Sequence, residues 1–316
     1  MIEPIVKCSA GLDVHREIVV CTVLKELSDG SLSKQTREYS TFRQQLKQLA
    51  QWLEDQEVAL AVMESTGVYW KAVYEEIEDV GVRVIVVNAQ HIKKVPGRKT
   101  DVADSEWLAE LARCGLLRAS FIPPKDLREL RLLTRYRMKI VGYLSSEKNR
   151  LHKVLDDSGI RLGSVVSHID GVSAQRMIDS LIEGKKTPQE IAQLALGQLR
   201  SKEKELQLSL DGRLSDRHRD LLRRISKHIK WLNAEIAELD AQVVAAMQPY
   251  QQEWQLLQTI PGIDRIGAAI LLAEIGTDMS QFGNKEKLSS WAGMSPGNNE
   301  SAGKKNIAEP QKVTDT

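Results

Sequence analysis

The first half of the chain, up to about residue 157, alternates short apolar runs with helical repeats. The expected strands lie at 8–24 (two strands with a turn near 14–16), 34–40, 58–63 and 82–87, and the expected helices at 42–53, 67–80, 101–114 and from 123 onwards. Thr41 is placed to cap the helix at 42–53. This order of elements predicts an α/β domain over 1–157, in which a mixed sheet is flanked by helices.

The middle part, 158–250, is polar and helical, and it contains the most regular repeat in the chain. Apolar residues alternate at spacings of three and four over about 219–247: Leu222, Ile225, Ile229, Leu232, Ile236, Leu239, Val243 and Ala246. Residues at the first heptad position are mostly β-branched and leucine is prominent at the fourth, which favours a two-stranded parallel coiled coil and therefore a homodimer. The alternative is one helix packed inside its own chain.

The last part, 251–316, begins with two short helical stretches joined by Pro261 and Gly262. Small residues follow where the two helices would cross, a pattern similar to a helix-hairpin-helix unit. In such a unit the backbone N–H groups at a helix N-terminus bind phosphate without reading bases. The alternative is an ordinary helical hairpin.

Composition narrows the class of protein. The chain has 316 residues, with 44 Lys and Arg against 43 Asp and Glu, so the net charge of +1 identifies no partner. The longest apolar stretch, 268–273, is far shorter than the ~20 residues of a membrane span, and no secretory signal is visible at the start. Three cysteines fit a reducing compartment better than disulfides or a zinc site. These features predict a soluble, multi-domain protein of the cytoplasm.

Basic residues are concentrated in two stretches. Residues 118–153 hold ten Lys and Arg against three acidic residues, and 217–230 hold six against one. Arg128, Arg131 and Arg135 share one helical face with Lys139 a turn beyond, and the second stretch includes Arg223 and Arg224. Concentrated positive charge of this kind attracts the phosphates of nucleic acid. The alternative is a solvated helix face.

Carboxylates stand at the ends of predicted strands and at the start of a predicted helix. Asp13 lies within or just after the first strand, and Glu64 ends the strand at 58–63. Asp101 and Asp104 lie three apart at the start of the helix at 101–114. If the central strands are neighbours, these four side chains meet at one point. Such a cluster needs cations, and hard oxygen ligands suit Mg²⁺ or Mn²⁺. Taken singly, Asp101 is also a common type of helix cap and Glu64 a solvated strand end.

Five segments together carry a resemblance to a known family. They are Gly-Leu-Asp-Val-His at 11–15, Met-Glu-Ser-Thr-Gly-Val-Tyr-Trp at 63–70, Lys-Thr-Asp-Val-Ala-Asp at 99–104, and the C-terminal segments 260–276 and 291–304. In this order and spacing the chain resembles the DEDD transposases of bacterial insertion sequences, the family that includes the Piv DNA invertases. The resemblance covers nearly the whole chain except 158–215.

The resemblance implies a RuvC-like (Holliday-resolvase, RNase H type) N-terminal domain, a coiled-coil spacer and a small C-terminal transposase domain. It implies that Asp13, Glu64, Asp101 and Asp104 bind divalent metal and that a serine attacks DNA. Ser301 is the match for that serine, with Ser295 in reserve. The family also uses a guide RNA for target choice, so the expected partners are DNA, such an RNA and a second copy of the chain.

The segment after Asn306 departs from the family pattern. Residues 307–316 are polar and patternless where the family continues into further helices, so the chain looks like a truncated or frame-shifted copy. Two other functions therefore stand beside that of a transposase. One is a structure-selective junction nuclease, which needs the carboxylates without the serine, and the other is a DNA-binding remnant without turnover.

Overall fold

A computed structural model describes residues 4–65, 67–92, 103–294, 300–301 and 304–305. Its contacts form two compact units. The sheet unit consists of Met1–Ile122 with Ser280–Thr316, and the helical unit is Pro123–Met279. Within the described ranges, no helix has the length and apolar character needed to cross a membrane.

The sheet unit is built on five strands. Its elements are β1 (Cys8–Val14), β2 (Ile18–Glu26), β3 (Leu32–Ser40), α1 (Arg43–Asp55), β4 (Leu60–Glu64), α2 (Trp70–Asp79), β5 (Val84–Val87), α3 (Ala89–Ile92) and α4 (Asp104–Arg113). The strand order is β3-β2-β1-β4-β5. The first three strands pair antiparallel, whereas β1, β4 and β5 are parallel. The predicted mixed α/β sheet is confirmed.

The two faces of the sheet are covered by different helices, and successive side chains of β1 point to opposite faces. Ala10 and Leu12 belong to one apolar cluster with residues of α1 and α2. Gly11 instead faces α4, because a Cβ placed on it would meet the Ser105 carbonyl oxygen and the Ala109 amide nitrogen. The polar and small positions of β1 therefore lie on the α4 side, as the two-residue period of a strand requires.

The start of α1 differs from the prediction. Its N-cap is Phe42, which makes no side-chain cap hydrogen bond. The Thr41 hydroxyl donates instead to the Arg16 carbonyl oxygen at 2.9 Å. Thr41 therefore joins the β1–β2 turn to the end of β3, and the cap prediction is wrong.

The helical unit is dominated by two long helices. Its elements are α5 (Lys125–Asp157), α6 (Val172–Glu183), α7 (Pro188–Ala192), α8 (Glu203–Ser209), α9 (Asp216–Ala246), α10 (Gln251–Gln258) and α11 (Arg265–Ile275). Three ion pairs join α5 to α9: Arg137 with Asp240, Glu147 with His228, and Asp157 with His218. The residue number rises along α5 as it falls along α9. The two helices are therefore an antiparallel pair.

The heptad residues of α9 pack inside their own chain. Leu222, Ile229 and Leu232 are at most 1% exposed and share an apolar cluster with Ile140, Leu151 and other residues of α5 and α6. Ile236 packs partly buried against the same cluster. The prediction that this seam pairs two protomers is thus corrected, because α5 and α6 of the same chain already cover it.

The predicted last part, 251–316, is divided between the two units. In the helical unit, α10 and α11 form a hairpin around Gly262, whose φ of +89° suits glycine. The Asp264 side chain caps α11 by accepting from the Gly267 amide. In the sheet unit, α12 (Lys285–Trp291) follows Phe282, whose ring lies 5.9 Å from that of Phe121. The internal contacts therefore divide this segment near residue 280.

Candidate active site

Two neighbouring parallel strands bring Asp13 and Glu64 to one edge of the sheet. Leu12 of β1 pairs with Met63 of β4, so the next residues, Asp13 and Glu64, stand side by side at the ends of the two strands. Both lie two residues beyond a position that faces α4, namely Gly11 and Val62. Asp13 and Glu64 therefore lie on the same face of the sheet.

Helix α4 begins beside these two carboxylates. A Cβ on Gly11 would lie 2.0 Å from the Ser105 carbonyl oxygen and 2.4 Å from the Ala109 amide nitrogen, which no real side chain tolerates. The absence of a side chain at Gly11 lets the first turn of α4 rest directly on β1. Asp104, the first residue of α4, is consequently held near the strand that carries Asp13.

Buried hydroxyls hold α4 in this position. The Ser105 hydroxyl lies 2.8 Å from the hydroxyl of Thr22 on β2, and the Ser9 hydroxyl donates to the Ala109 carbonyl oxygen at 2.9 Å. These hydrogen bonds satisfy polar groups that would otherwise be costly to bury. They fix how far along β1 and β2 the helix α4 begins.

Ion pairs from the outer strands hold both ends of α4. Lys34 of β3 donates to both carboxylate oxygens of Glu106 at 3.0 Å, and Arg113 donates to Glu26 of β2 at 3.0 Å. Asp104 and Glu106 in the first turn also interact favourably with the helix dipole. The orientation of α4 therefore depends on three strands, and not on β1 alone.

The alternative role for Asp101, that of a cap on the following helix, is tested by where α4 begins. The N-cap of α4 is Ala103, and it makes no side-chain cap hydrogen bond. Asp101 itself lies outside the described residues. A role for Asp101 as the N-cap of this helix is therefore excluded by the position at which α4 begins.

Three of the four predicted carboxylates lie on neighbouring elements. Asp13 and Glu64 stand on paired strands, and Asp104 begins the helix that packs on β1. Among the described residues, no group of three or more His, Cys, Asp or Glu is close enough to hold a metal ion. The His15 Nε2 atom lies 3.1 Å from Asp13 Oδ2, and both side chains are partly exposed. The donors are hard oxygens, which fit Mg²⁺ or Mn²⁺.

The two candidate serines fall in the segment after α12. Ser301 lies in the short strand β6 (Glu300–Ser301), where it pairs with Lys304 of β7 (Lys304–Lys305). Its side chain and the whole of Ser295 lie outside the described residues. The strand β6 falls within the range of the sheet unit.

Two of the arginines predicted to bind nucleic acid have partners inside the helical unit. Arg131 donates to the carbonyl oxygens of Ala273 and Glu274 at 2.7 and 2.5 Å. Arg135 donates two hydrogen bonds to the Glu274 carboxylate, at 2.9 and 3.0 Å. Burial lowers the pKa of Arg131 from its ordinary value. Both arginines therefore hold the C-terminal end of α11, where cations are favourable.

The other predicted basic residues differ from one another. Arg128 donates to the Pro123 carbonyl oxygen at 3.0 Å, close to the start of α5. Lys139 is exposed on α5. Arg223 and Arg224 are exposed on α9, where both contact the Asp220 carboxylate, at 3.4 and 2.9 Å. Lys139, Arg223 and Arg224 are thus the predicted basic residues most accessible to phosphate.

The residues that position α4 were not identified from the sequence. Ser9, Gly11, Thr22 and Ser105 carry no charge and match no motif of a metal site. Their signal was nevertheless present, because β1 alternates small or polar residues with apolar ones. A polar face on a central strand indicates that something other than an ordinary apolar layer packs there.

Comparisons with known proteins match two stretches of the chain to transposase families. A DEDD transposase model named for IS110 matches residues 10–160, and a model of the IS116/IS110/IS902 transposase family matches residues 254–315. A probable family 20 transposase of Pseudomonas aeruginosa is 22% identical over 284 residues, covering 88% of this chain and 74% of the relative. The chain belongs to the IS110-type DEDD transposases, which are enzymes of DNA transposition.

Solved structures give only distant likenesses. RuvC of Thermus thermophilus is 15% identical, with a TM-score of 0.28 over 36% of this chain and 99% of RuvC. A Ppx/GppA family protein of Aquifex aeolicus is 14% identical, with a TM-score of 0.21 over 73% of this chain and 90% of that protein. Because both TM-scores are low, no site residue is assigned from either structure.

Proposed function

We propose that this transposase cleaves and exchanges DNA strands with divalent metal ions held by Asp13, Glu64, Asp101 and Asp104. The observation that carries the proposal is the pairing of β1 with β4, which sets Asp13 beside Glu64. The close packing of α4 on Gly11 supports it, because this packing starts a third element, with Asp104, near the same edge. Asp101 is included by its family motif, three residues before Asp104.

The carboxylates would act as ligands rather than as acids or bases. Two bound divalent ions supply polarisation of a phosphodiester and stabilise its attacking and leaving oxygens. The chain contributes the fixed spacing of its ligands, since Asp13 and Glu64 stand on hydrogen-bonded strands and Asp104 on a helix anchored at both ends. Ligands on rigid elements hold such geometry better than ligands on loops.

We further propose Ser301 as the nucleophile, with Ser295 as its alternative. The serine oxygen forms a bond to the phosphorus while a sugar oxygen leaves, and the hydroxyl proton passes to that leaving oxygen or to solvent. A serine hydroxyl is weak until something activates it, so the proposal requires the serine to reach the carboxylate edge. The strand β6, which contains Ser301, is assigned to the same unit as Asp13 and Glu64, and this supports that requirement.

DNA would be bound through phosphates rather than through base edges. The exposed Lys139, Arg223 and Arg224 support this contact. We also propose that the protein acts with a guide RNA, which the family resemblance implies, and with a second copy of the chain. Affinity for duplex DNA is then expected to fall with a slope of roughly −0.9 in log salt for each phosphate contacted.

The test is cleavage of DNA carrying the ends of the element, with and without Mg²⁺. Asp13→Asn removes one charged ligand and is expected to lower cleavage by more than about a hundredfold, since even outer partners of metal ligands are worth 10–100-fold. Glu38→Gln is the matched control, because Glu38 is an exposed carboxylate on β3 of the same sheet. Equal activity of Asp13→Asn and Glu38→Gln would overturn the metal site.

Ser301→Ala separates strand exchange from simple cleavage. A recombinase with this nucleophile loses both the covalent protein–DNA product and strand exchange. Unchanged Mg²⁺-dependent cleavage with no covalent product would instead identify a junction nuclease. Ser295→Ala, measured beside it, decides between the two serines.

A further inference from the structure

The antiparallel helix pair of the helical unit exposes aromatic side chains that strand cleavage does not use. Trp231 of α9 is 52% exposed and Tyr143 of α5 is 57% exposed. Large aromatic side chains are usually buried where they stabilise a fold, so two exposed ones on neighbouring helices indicate a surface for something else.

One contact across the pair relates the positions of these two aromatic residues. His228 Nδ1 lies 3.3 Å from Glu147 Oε1, and the Glu147 side chain is only 8% exposed. Tyr143 lies one turn before Glu147 on α5, and Trp231 lies one turn after His228 on α9, so each shares the face of its neighbour. Because the helices are antiparallel, both aromatic residues lie on the same side of the Glu147–His228 contact.

The opposite side of the same contact carries cations. Arg150 lies one turn after Glu147, and Arg224 lies one turn before His228, by the same helical spacing. Arg150 donates to Glu147, and Arg224 donates to Asp220 at 2.9 Å. A guanidinium has five N–H donors, so both arginines keep donors for a further acceptor. Lys227 is exposed on the same part of α9.

The Trp231 ring is held in place by its neighbour. The rings of His228 and Trp231 stack, with centroids 5.8 Å apart and an angle of 21° between their planes. The His228 ring is in turn held by the buried Glu147 carboxylate. One face of the indole is therefore fixed against the protein while much of the ring remains in solvent, which lowers the entropy lost when a ligand stacks on it.

We propose that this surface, the aromatic–basic groove of Tyr143, Trp231, Arg150, Arg224 and Lys227, binds single-stranded nucleic acid. Unpaired bases stack on aromatic rings irrespective of sequence, while cations follow the phosphates. Seven residues of helix separate Tyr143 from Arg150, or about 10 Å. A stacked strand carries one phosphate per about 3.4 Å, so this length accommodates about three nucleotides.

Two features favour a single strand over other occupants. A duplex keeps its base faces stacked on each other, so it leaves Trp231 nothing to stack on, whereas a protein partner would not need the cations. Beyond the aromatic residues, Glu235 and Glu238 follow on α9, whereas α5 carries Lys139 one turn before Tyr143. Most of the phosphates are therefore expected on the other side, where Arg150, Arg224 and Lys227 lie together. The inference deepens the nucleic-acid part of the proposed function and does not depend on cleavage at the sheet.

The test measures binding of fluorescently labelled oligothymidylate, oligouridylate and a duplex of matched length to the full chain by fluorescence anisotropy. Trp231→Ala is expected to weaken binding of a single strand by about 5- to 100-fold, the range of one lost base stack. Trp231→Phe keeps a π-face and should retain most of the affinity. Comparing the two oligonucleotides distinguishes DNA from RNA as the natural strand.

Controls separate a lost stack from lost structure. Leu208→Ala removes another exposed apolar side chain from the helical unit, 77% exposed on α8, and should leave binding unchanged. Unchanged single-strand binding by Trp231→Ala, or an equal loss on duplex, would overturn the proposal. It would also fall if Trp231→Ala altered only the association state in light scattering. Binding is measured without Mg²⁺ and without cleavage, so failure of the metal site leaves this test intact.

Discussion

The two units place their polar residues in different ways. In the sheet unit, α4 packs on β1 through an absent side chain and a few buried hydroxyls, and Asp13 stands beside Glu64 where β1 and β4 end. In the helical unit, α5 and α9 pack through an apolar seam, and charged residues form bridges along it and at the end of α11. Polar residues thus form a candidate site in one unit and brace the fold in the other.

The difference matters for interpreting basic residues. Arg131 and Arg135 share a helical face with Lys139, and that pattern alone suggests one phosphate-binding surface. Two of the three bind the end of α11, and Lys139 is the exposed one. A helical face of cations therefore identifies a surface but not its occupant, which here is another part of the chain.

The largest expected effect is in the apolar seam. Ile229 is fully buried, so Ile229→Asp should destabilise the protein by about 5 kcal/mol, combining a lost aliphatic side chain with a buried charge. Urea unfolding followed by circular dichroism measures the loss, and Lys227→Asp, exposed on the same helix, should cost far less. A folded Ile229→Asp monomer obtained from a dimeric parent would restore the coiled-coil interpretation.

The next effect is in the contact between α4 and the sheet. Gly11→Val should cost about 3 kcal/mol, because its Cβ would overlap the backbone of α4 and force it off β1. Mg²⁺-dependent cleavage should fall with it, since Asp104 moves with α4. Stability and cleavage equal to those of the parent would mean that α4 does not need to lie this close.

A smaller effect distinguishes bracing arginines from exposed ones. Arg135→Gln removes two charge-assisted hydrogen bonds and should lower the free energy of unfolding by about 1–2 kcal/mol. Arg224→Gln should change it by less than about 0.5 kcal/mol, because its ion pair with Asp220 is exposed. Oligonucleotide binding should show the reverse order. If Arg135→Gln weakened binding more than Arg224→Gln, the assignment of the two arginines would be wrong.

The smallest effect has the opposite sign. Gly142 lies within α5 with nothing within 4 Å of the place where its Cβ would stand. Gly142→Ala should therefore stabilise the protein by about 0.5–1 kcal/mol, since alanine loses less freedom in a helix. Set beside Gly11→Val, it compares a glycine required by packing with one that is not. A destabilised Gly142→Ala would point to a neighbour at that position.

The sequence predicted those features that follow from a local pattern of apolar and polar residues. The ends of two apolar strands predicted that Asp13 and Glu64 come together if those strands are neighbours, and the β1–β4 pairing sets them side by side. The heptads of α9 correctly predicted a buried helical seam. They could not say which chain fills it, because the period reports burial of a face and not the identity of its partner.

Other features of the candidate site and of the fold depend on contacts between residues that are far apart in the sequence. The hydrogen bond between Thr22 and Ser105 joins residues 83 apart, and that between Arg131 and Ala273 joins residues 142 apart. No local propensity encodes such pairs. Gly11 is likewise ambiguous in sequence, since a glycine in a strand marks a bulge, a bend or a close approach equally well.

The sheet unit is discontinuous, because residues 123–279 are inserted between its two parts. At a synthesis rate of about 5–20 residues per second, the ribosome needs roughly 8 to 30 seconds to make that insertion. During this time the strands with Asp13 and Glu64 have already been made, whereas the segment with Ser301 has not. A nascent chain therefore carries the proposed metal ligands well before the proposed nucleophile, so strand exchange would begin only once translation has passed residue 301.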